Sequence, residues 1–206
     1  MPLVSATESQ ADHALMRAML AGDGAAFETL YRKYQAAVYR FALLRSGSAD
    51  TACDIVQDVF VSLMTGTLKF DPLKGALGSF LVGVARNFLL KRDEAQGRFV
   101  STTRDDGEDE HQDADPSPTP LERVLANEAA ENVRAALAAL APHYRDVAIL
   151  YEMHDLSYVE IAQVCNIDIG TVRSRLNRAR AKLVALLSLE QEGLNGTTSQ
   201  QREARS

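Results

Sequence analysis

The amino-acid sequence predicts an all-α protein of two small helical domains joined by a flexible acidic linker. Three observations lead there. Apolar residues recur at helical spacing along most of the 206 positions, and no period-two strand pattern persists. Glycine and proline are sparse except at a few points that separate the periodic segments. Between residues 98 and 120 the periodicity stops. RFVSTTRDDGEDEHQDADPSPTP has few apolar residues after Val100, then an acidic run, then three prolines, and such a composition cannot bury a core. The expected boundaries are therefore a first domain at 1–97, a linker at 98–120, a second domain at 121–190 and a disordered polar tail at 191–206.

Helices are expected in order near 10–21, 24–46, 49–65 and 76–96, with breaks at Gly22, Gly47, Gly66 and Asp71-Pro72. The third of these has two distinct faces. Ala52, Ile55, Val56, Val59, Phe60, Leu63 and Met64 make an apolar face, and Thr51, Asp54, Asp58 and Val61, with Gln57 beside them, make the opposite stripe. That stripe has no cationic partner at i+3 or i+4. With Ser48 as N-cap, Thr51 is the third helical residue, where free N–H groups and the helix dipole favour an anion.

In the second half, helices are expected near 122–140, 143–153, 157–165 and 169–189. Ser157 and Glu160 form a capping box that opens the short helix YVEIAQVC. Asn166, a residue that tolerates the left-handed conformation, stops it, and a new helix begins with Gly170-Thr171-Val172. Small Ala162, turn residue Asn166 and β-branched Val172 stand at helix-turn-helix intervals. In the second helix Val172, Leu176, Ala179 and Leu183 make the buried stripe. Arg173, Ser174, Asn177 and Arg178 lie on the free side, near the N-terminal end that meets base edges in such motifs. Arg and Asn have the forked geometry that reads G and A, while Arg175, Arg180 and Lys182 suit phosphates.

The net charge of −6 is unevenly placed. Residues 105–115, DDGEDEHQDAD, hold seven acidic side chains; without them 22 basic residues stand against 21 acidic ones, a net of +1. The acid run either tethers the domains or occupies a basic surface of the chain or a partner. Cys53 and Cys165 lie far apart, neither in a CxxC pair nor near clustered histidines, so no metal, cofactor or disulfide is expected. There is no run of 18 apolar residues and no basic end followed by an apolar block, so neither a membrane span nor an export signal is expected and the chain is assigned to the cytoplasm. No Gly-rich phosphate loop and no Ser/His/Asp set appears, and the chain is not expected to be an enzyme.

EIAQVCNIDIGTVRSRLNRARAKL resembles region 4 of the extracytoplasmic-function (ECF) class of sigma-70-type sigma factors. FETLYRKYQAAVYRFALLRSGSADTACDIVQDVFVSLM, followed by GSFLVGVARNFLLKR, resembles region 2. The resemblance covers roughly residues 25–97 and 122–187. It implies binding to core RNA polymerase at the β′ coiled coil and the β flap, recognition of the −35 and −10 promoter elements, opening of promoter DNA at −10, and a monomer when free. It places Thr171, Arg173, Ser174, Asn177 and Arg178 at −35, with Thr171 near a phosphate. At −10 it places Asn87 against a base, with Lys69, Arg86, Lys91 and Arg92 as candidate backbone contacts. Phe80 stands where the family usually has Trp; it is placed with the −10 set, although support beneath the loop is the better reading. Asp54, Gln57, Asp58 and Val61 are placed on the β′ coiled coil. The family motif DAED is Thr51-Ala52-Cys53-Asp54 in this sequence, and two of its three acidic charges are missing. A weaker polymerase contact is expected, together with a phosphorylation switch at Thr51 worked by a Ser/Thr protein kinase. The alternative reading is a helix-turn-helix regulator that acts without polymerase core.

Overall fold

The computed structural model describes residues 6–95, 97 and 121–203. The linker and its acidic run therefore lie outside the described residues. Eight helices make up the described chain: α1 (Ala6–Leu20), α2 (Gly24–Ser46), α3 (Ala49–Met64), α4 (Leu77–Ala95), α5 (Leu121–Ala138), α6 (Pro142–Glu152), α7 (Tyr158–Cys165) and α8 (Ile169–Glu203). Their boundaries have local causes. Asp23 starts α2 by accepting from the N–H groups of Ala25 and Ala26 at 2.8 and 3.2 Å. Gly47 ends it at φ 72°, a conformation open to glycine at no steric cost. Ser48 then caps α3 by accepting from Thr51 N–H at 3.2 Å.

The first half is a bundle in which α2 packs on α3 and α4. Its core includes Leu30, Val38 and Phe41 of α2, Ile55, Val59 and Leu63 of α3, and Leu81 and Ala85 of α4. Helix α1 is lashed to α2 by Asp12, which is 3% exposed and accepts from Lys33 Nζ at 2.7 Å and from the Tyr34 hydroxyl. Burying a carboxylate is costly unless charge and hydrogen bonds compensate it, as they do here. In the second half, α6 and α8 face each other across Tyr144, Val147, Ile149, Val172, Leu176 and Ala179.

Two expectations change. The tail from 191 was expected to be disordered, but α8 continues to Glu203. Proline is absent from 169–203, and a helix already nucleated extends at one hydrogen bond per residue. The two halves are also not merely tethered. Helix α2 packs on α5 and α6, α4 packs on α7, and the buried side chains form one continuous core. Phe41 of α2 meets His154, just beyond α6, edge to face at 5.9 Å.

Candidate nucleic-acid interface

The turn between α7 and α8 sets the orientation of the basic helix. The capping box is complete: Ser157 Oγ accepts from Glu160 N–H at 3.3 Å, and Glu160 Oε2 accepts from Ser157 N–H at 2.9 Å. Burial raises the Glu160 pKa, but hydrogen bonds from Ser157 and Ser79 outweigh it and hold the carboxyl below its usual range. Asn166 closes α7 at φ 54° and ψ 53°. These two ends aim α8 so that Val172, Leu176 and Ala179 are fully buried while Arg173, Ser174, Asn177 and Arg178 are exposed. Thr171 is half-buried, and its carbonyl accepts from Ser174 Oγ at 3.0 Å.

The flanking cations are not all directed at solvent. Arg178 Nη1 donates to the Tyr144 hydroxyl at 3.2 Å, so its guanidinium is braced from α6. Arg180 pairs with Glu152 at 2.7 Å and lies over the Tyr151 ring, and Lys182 lies 5.3 Å from the centre of the Tyr144 ring. The run 169–183 has no acid of its own; Glu152 of α6 supplies one through space, which a one-dimensional reading could not see.

In the first half, Asn87 and Lys91 are exposed one turn apart on α4, and Lys69 is exposed in the loop before it. That loop is shaped by Asp71, whose Oδ1 accepts from Leu73 N–H at 3.0 Å, and Leu73 projects from it 94% exposed. Phe80 is half-buried, its ring 5.3 Å from that of Phe70 in the loop. Arg86 departs from expectation. It was placed against a DNA backbone, but its side chain is only 12% exposed and its Nε donates to Asp146 Oδ2 of α6 at 2.7 Å. The opposing half supplies a carboxylate nearer than any solvent-borne phosphate.

Asp146 itself escaped the sequence reading. It is 1% exposed and also accepts from Arg45 Nε at 2.5 Å. Arg45 Nη2 turns to Asp93 of α4 at 2.8 Å. Burial alone lowers the Arg45 pKa, but Asp146 and Asp93 together raise it above the ordinary value. Arg145 lacks such a carboxylate. Burial and repulsion from Arg45 bring it down to about 10, and it donates to the carbonyls of Arg45, Leu140 and Ala138. The available signal was a lone acid inside the apolar run of α6.

On α3, Asp54, Gln57, Asp58 and Val61 are all exposed. Gln57 and Val61 edge an open groove of about 620 Å³ between α2 and α3, lined by Phe27, Tyr31, Phe60 and Met64. No cation stands at i+3 or i+4, but tertiary packing brings one in: Arg92 of α4 reaches Asp54 at 3.1 Å. Thr51 is half-buried at the third helical position, and its N–H is already taken by Ser48, so it is not one of the free donors expected there. Among the described residues no group of His, Cys, Asp or Glu has metal-ligating geometry. No helix of the described residues is long and apolar enough to cross a membrane.

An all-helical chain with a buried-stripe, basic-face helix behind a correct turn defines a helix-turn-helix DNA-binding protein. Residues 30–99 match the model of Sigma-70 region 2, and residues 130–183 match that of Sigma-70 region 4. The chain is 33% identical over 157 residues to the ECF RNA polymerase sigma factor EcfG of Rhodopseudomonas palustris, covering 73% of this chain and 78% of that one. It is 29% identical to the ECF sigma factor SigE of Mycolicibacterium smegmatis, covering 79% of this chain and spanning 63% of that protein's length. The sigma factor RpoE of Bartonella quintana, solved in complex with the anti-sigma factor NepR, superposes with a TM-score of 0.59 at 25% identity, over 79% of this chain and 96% of that one. The chain belongs to the ECF sigma factors of the sigma-70 family.

Proposed function

We propose that this chain directs core RNA polymerase to promoters by reading the −35 element with α8 and the −10 element with α4 and the loop before it. One observation carries the reading. The outer face of α8 presents Arg173, Ser174 and Asn177 to solvent while Val172, Leu176 and Ala179 anchor it from behind. That is what base readout in a major groove requires: forked donors on a helix that cannot roll. Arg178, braced by Tyr144, completes the set. At −10, Asn87 takes a base edge and Lys69 and Lys91 take the strand backbone. Asp54, Gln57, Asp58 and Val61 dock on the basic coiled coil of β′. Transcription in vitro with core polymerase on genomic DNA tests this; failure to initiate at any discrete start site would end it, and a helix-turn-helix regulator without polymerase would remain.

Thr51 carries the finer part of the proposal. Of the three acids the family motif holds, this sequence keeps only Asp54, which also has Arg92 as a neighbour. A phosphate on Thr51 adds about −1.5 to −2 charges at neutral pH, near what two carboxylates would supply. A Ser/Thr kinase is then the activating partner. Full activity of unmodified protein and of Thr51→Ala in the same assay would end this part alone.

A further inference from the structure

The first turn of α6 lies beside the basic helix and gathers two of its cations. Pro142 opens α6 behind Ala141, and Tyr144 follows, only 8% exposed. Arg178 Nη1 donates to the Tyr144 hydroxyl at 3.2 Å, and Lys182 Nζ stands 5.3 Å from the centre of the same ring. Residues 178 and 182 are four apart, so they share one flank of α8. His143 adds a third group to the cluster: its ring centre is 4.0 Å from that of Tyr144. Arg180 falls on the other flank, where Glu152 pairs with it at 2.7 Å.

The two flanks differ in what holds their cations. Glu152 is an anion, so it orients Arg180 but offsets its charge. Tyr144 is neutral. Its hydroxyl and its ring face orient a guanidinium and an ammonium while leaving both charges to act on a further group. Two cations one turn apart repel each other, and an anion placed between them relieves the repulsion. Duplex DNA carries such anions at about every 1.7 Å of its axis. An arginine held from behind also has less rotamer freedom to lose when it takes a base edge. We propose that the first turn of α6 is a second DNA-contacting element beside α8: Tyr144 positions Arg178 for a base, while Lys182 and His143, gathered on the same ring, take one backbone phosphate.

The inference rests on the −35 reading for the base contact, whereas the phosphate contact is measurable on any duplex. The test is fluorescence anisotropy of the full chain on a promoter duplex and on a random-sequence duplex, from about 50 to 200 mM salt. Lys182→Met keeps the aliphatic stem and removes the charge. It should weaken both duplexes in parallel and flatten the slope of log affinity against log salt by about 0.9, one phosphate's share. His143→Glu, at a helix start that favours an acid, should weaken both by about fivefold, the repulsion of two charges about 4 Å apart in water. Tyr144→Phe keeps the buried ring and removes only the hydroxyl. It should weaken the promoter duplex roughly tenfold, the worth of a hydrogen bond to a charged group, and the random duplex far less. In an Arg178→Ala background it should cost nothing further. An unchanged salt slope in Lys182→Met would overturn the proposal. So would an equal loss on both duplexes in Tyr144→Phe, or no measurable duplex binding by the wild type at low salt. If Tyr144→Phe unfolds, Lys182→Met, at an exposed position, decides. Absence of any start site in transcription would instead sink the −35 reading and leave the salt slope on random duplex standing.

Discussion

Lowering the pH should weaken the fold through His154. Its Nε2 is buried without a hydrogen-bond partner, and its ring stands edge-on to Phe41 of the opposite half. Burial and the charge of Arg40 depress its pKa from 6.5 to about 4. The sign follows from linkage. Between those values the unfolded chain binds a proton that the folded chain refuses, so stability is full above pH 6.5 and drains as pH falls towards 4. With the two pKa values of 6.5 and about 4, the loss at pH 5 is about 2 kcal/mol, approaching roughly 3 kcal/mol below pH 4. Urea denaturation at pH 7 and pH 5 of wild type and His154→Phe separates this contribution from that of the carboxylates, which titrate in both proteins. The wild type should lose about 2 kcal/mol more than the variant. At pH 7 the variant also sheds an unsatisfied polar atom, which costs about 1–3 kcal/mol when buried. Equal losses in the two proteins would show that His154 is hydrated or paired, and the argument would fail.

Three further outcomes are expected. Arg173→Ala should weaken binding to a promoter duplex by about 1–3 kcal/mol and to random duplex by much less, read by fluorescence anisotropy; equal losses would make it a phosphate contact. Leu176→Ala, at a fully buried position of α8, should cost about 2–5 kcal/mol in chemical denaturation. Asn166→Gly should stabilise by about 1 kcal/mol because the left-handed backbone carries a steric penalty for residues with a Cβ, and Asn166→Val should destabilise in the same melts.

The helices were largely legible because their signals are local. Helix α2 begins and ends where Asp23, Gly24 and Gly47 mark it, and α7 between Ser157 and Asn166. The outward face of α8 was legible for the same reason: Val172, Leu176 and Ala179 recur on one buried stripe, so the residues beside them must face outward. Helix α1 starts four residues earlier than expected, and α8 runs on to Glu203, because no strong stop or start residue marks either end. The ion pair of Arg86 was not legible for a different reason. An arginine on a helix reads as solvated until its partner is known, and the partner, Asp146, is 60 residues away in sequence. Arg180 with Glu152 and Arg92 with Asp54 are further partners set by tertiary packing rather than by spacing.

The contact between the halves bears on how such a protein is dissected. Cutting the chain at its linker would strand Arg45 and Arg86 on one piece and Asp146 on the other. Each fragment would then show water a face that the intact molecule keeps dry, including Phe41 on the first piece. A DNA titration of the separated first fragment would count Arg86 among its cations, whereas the whole chain withholds it. The affinity of that first fragment should therefore exceed that of the parent. The ratio of the two affinities reports how far the intact molecule masks that cation.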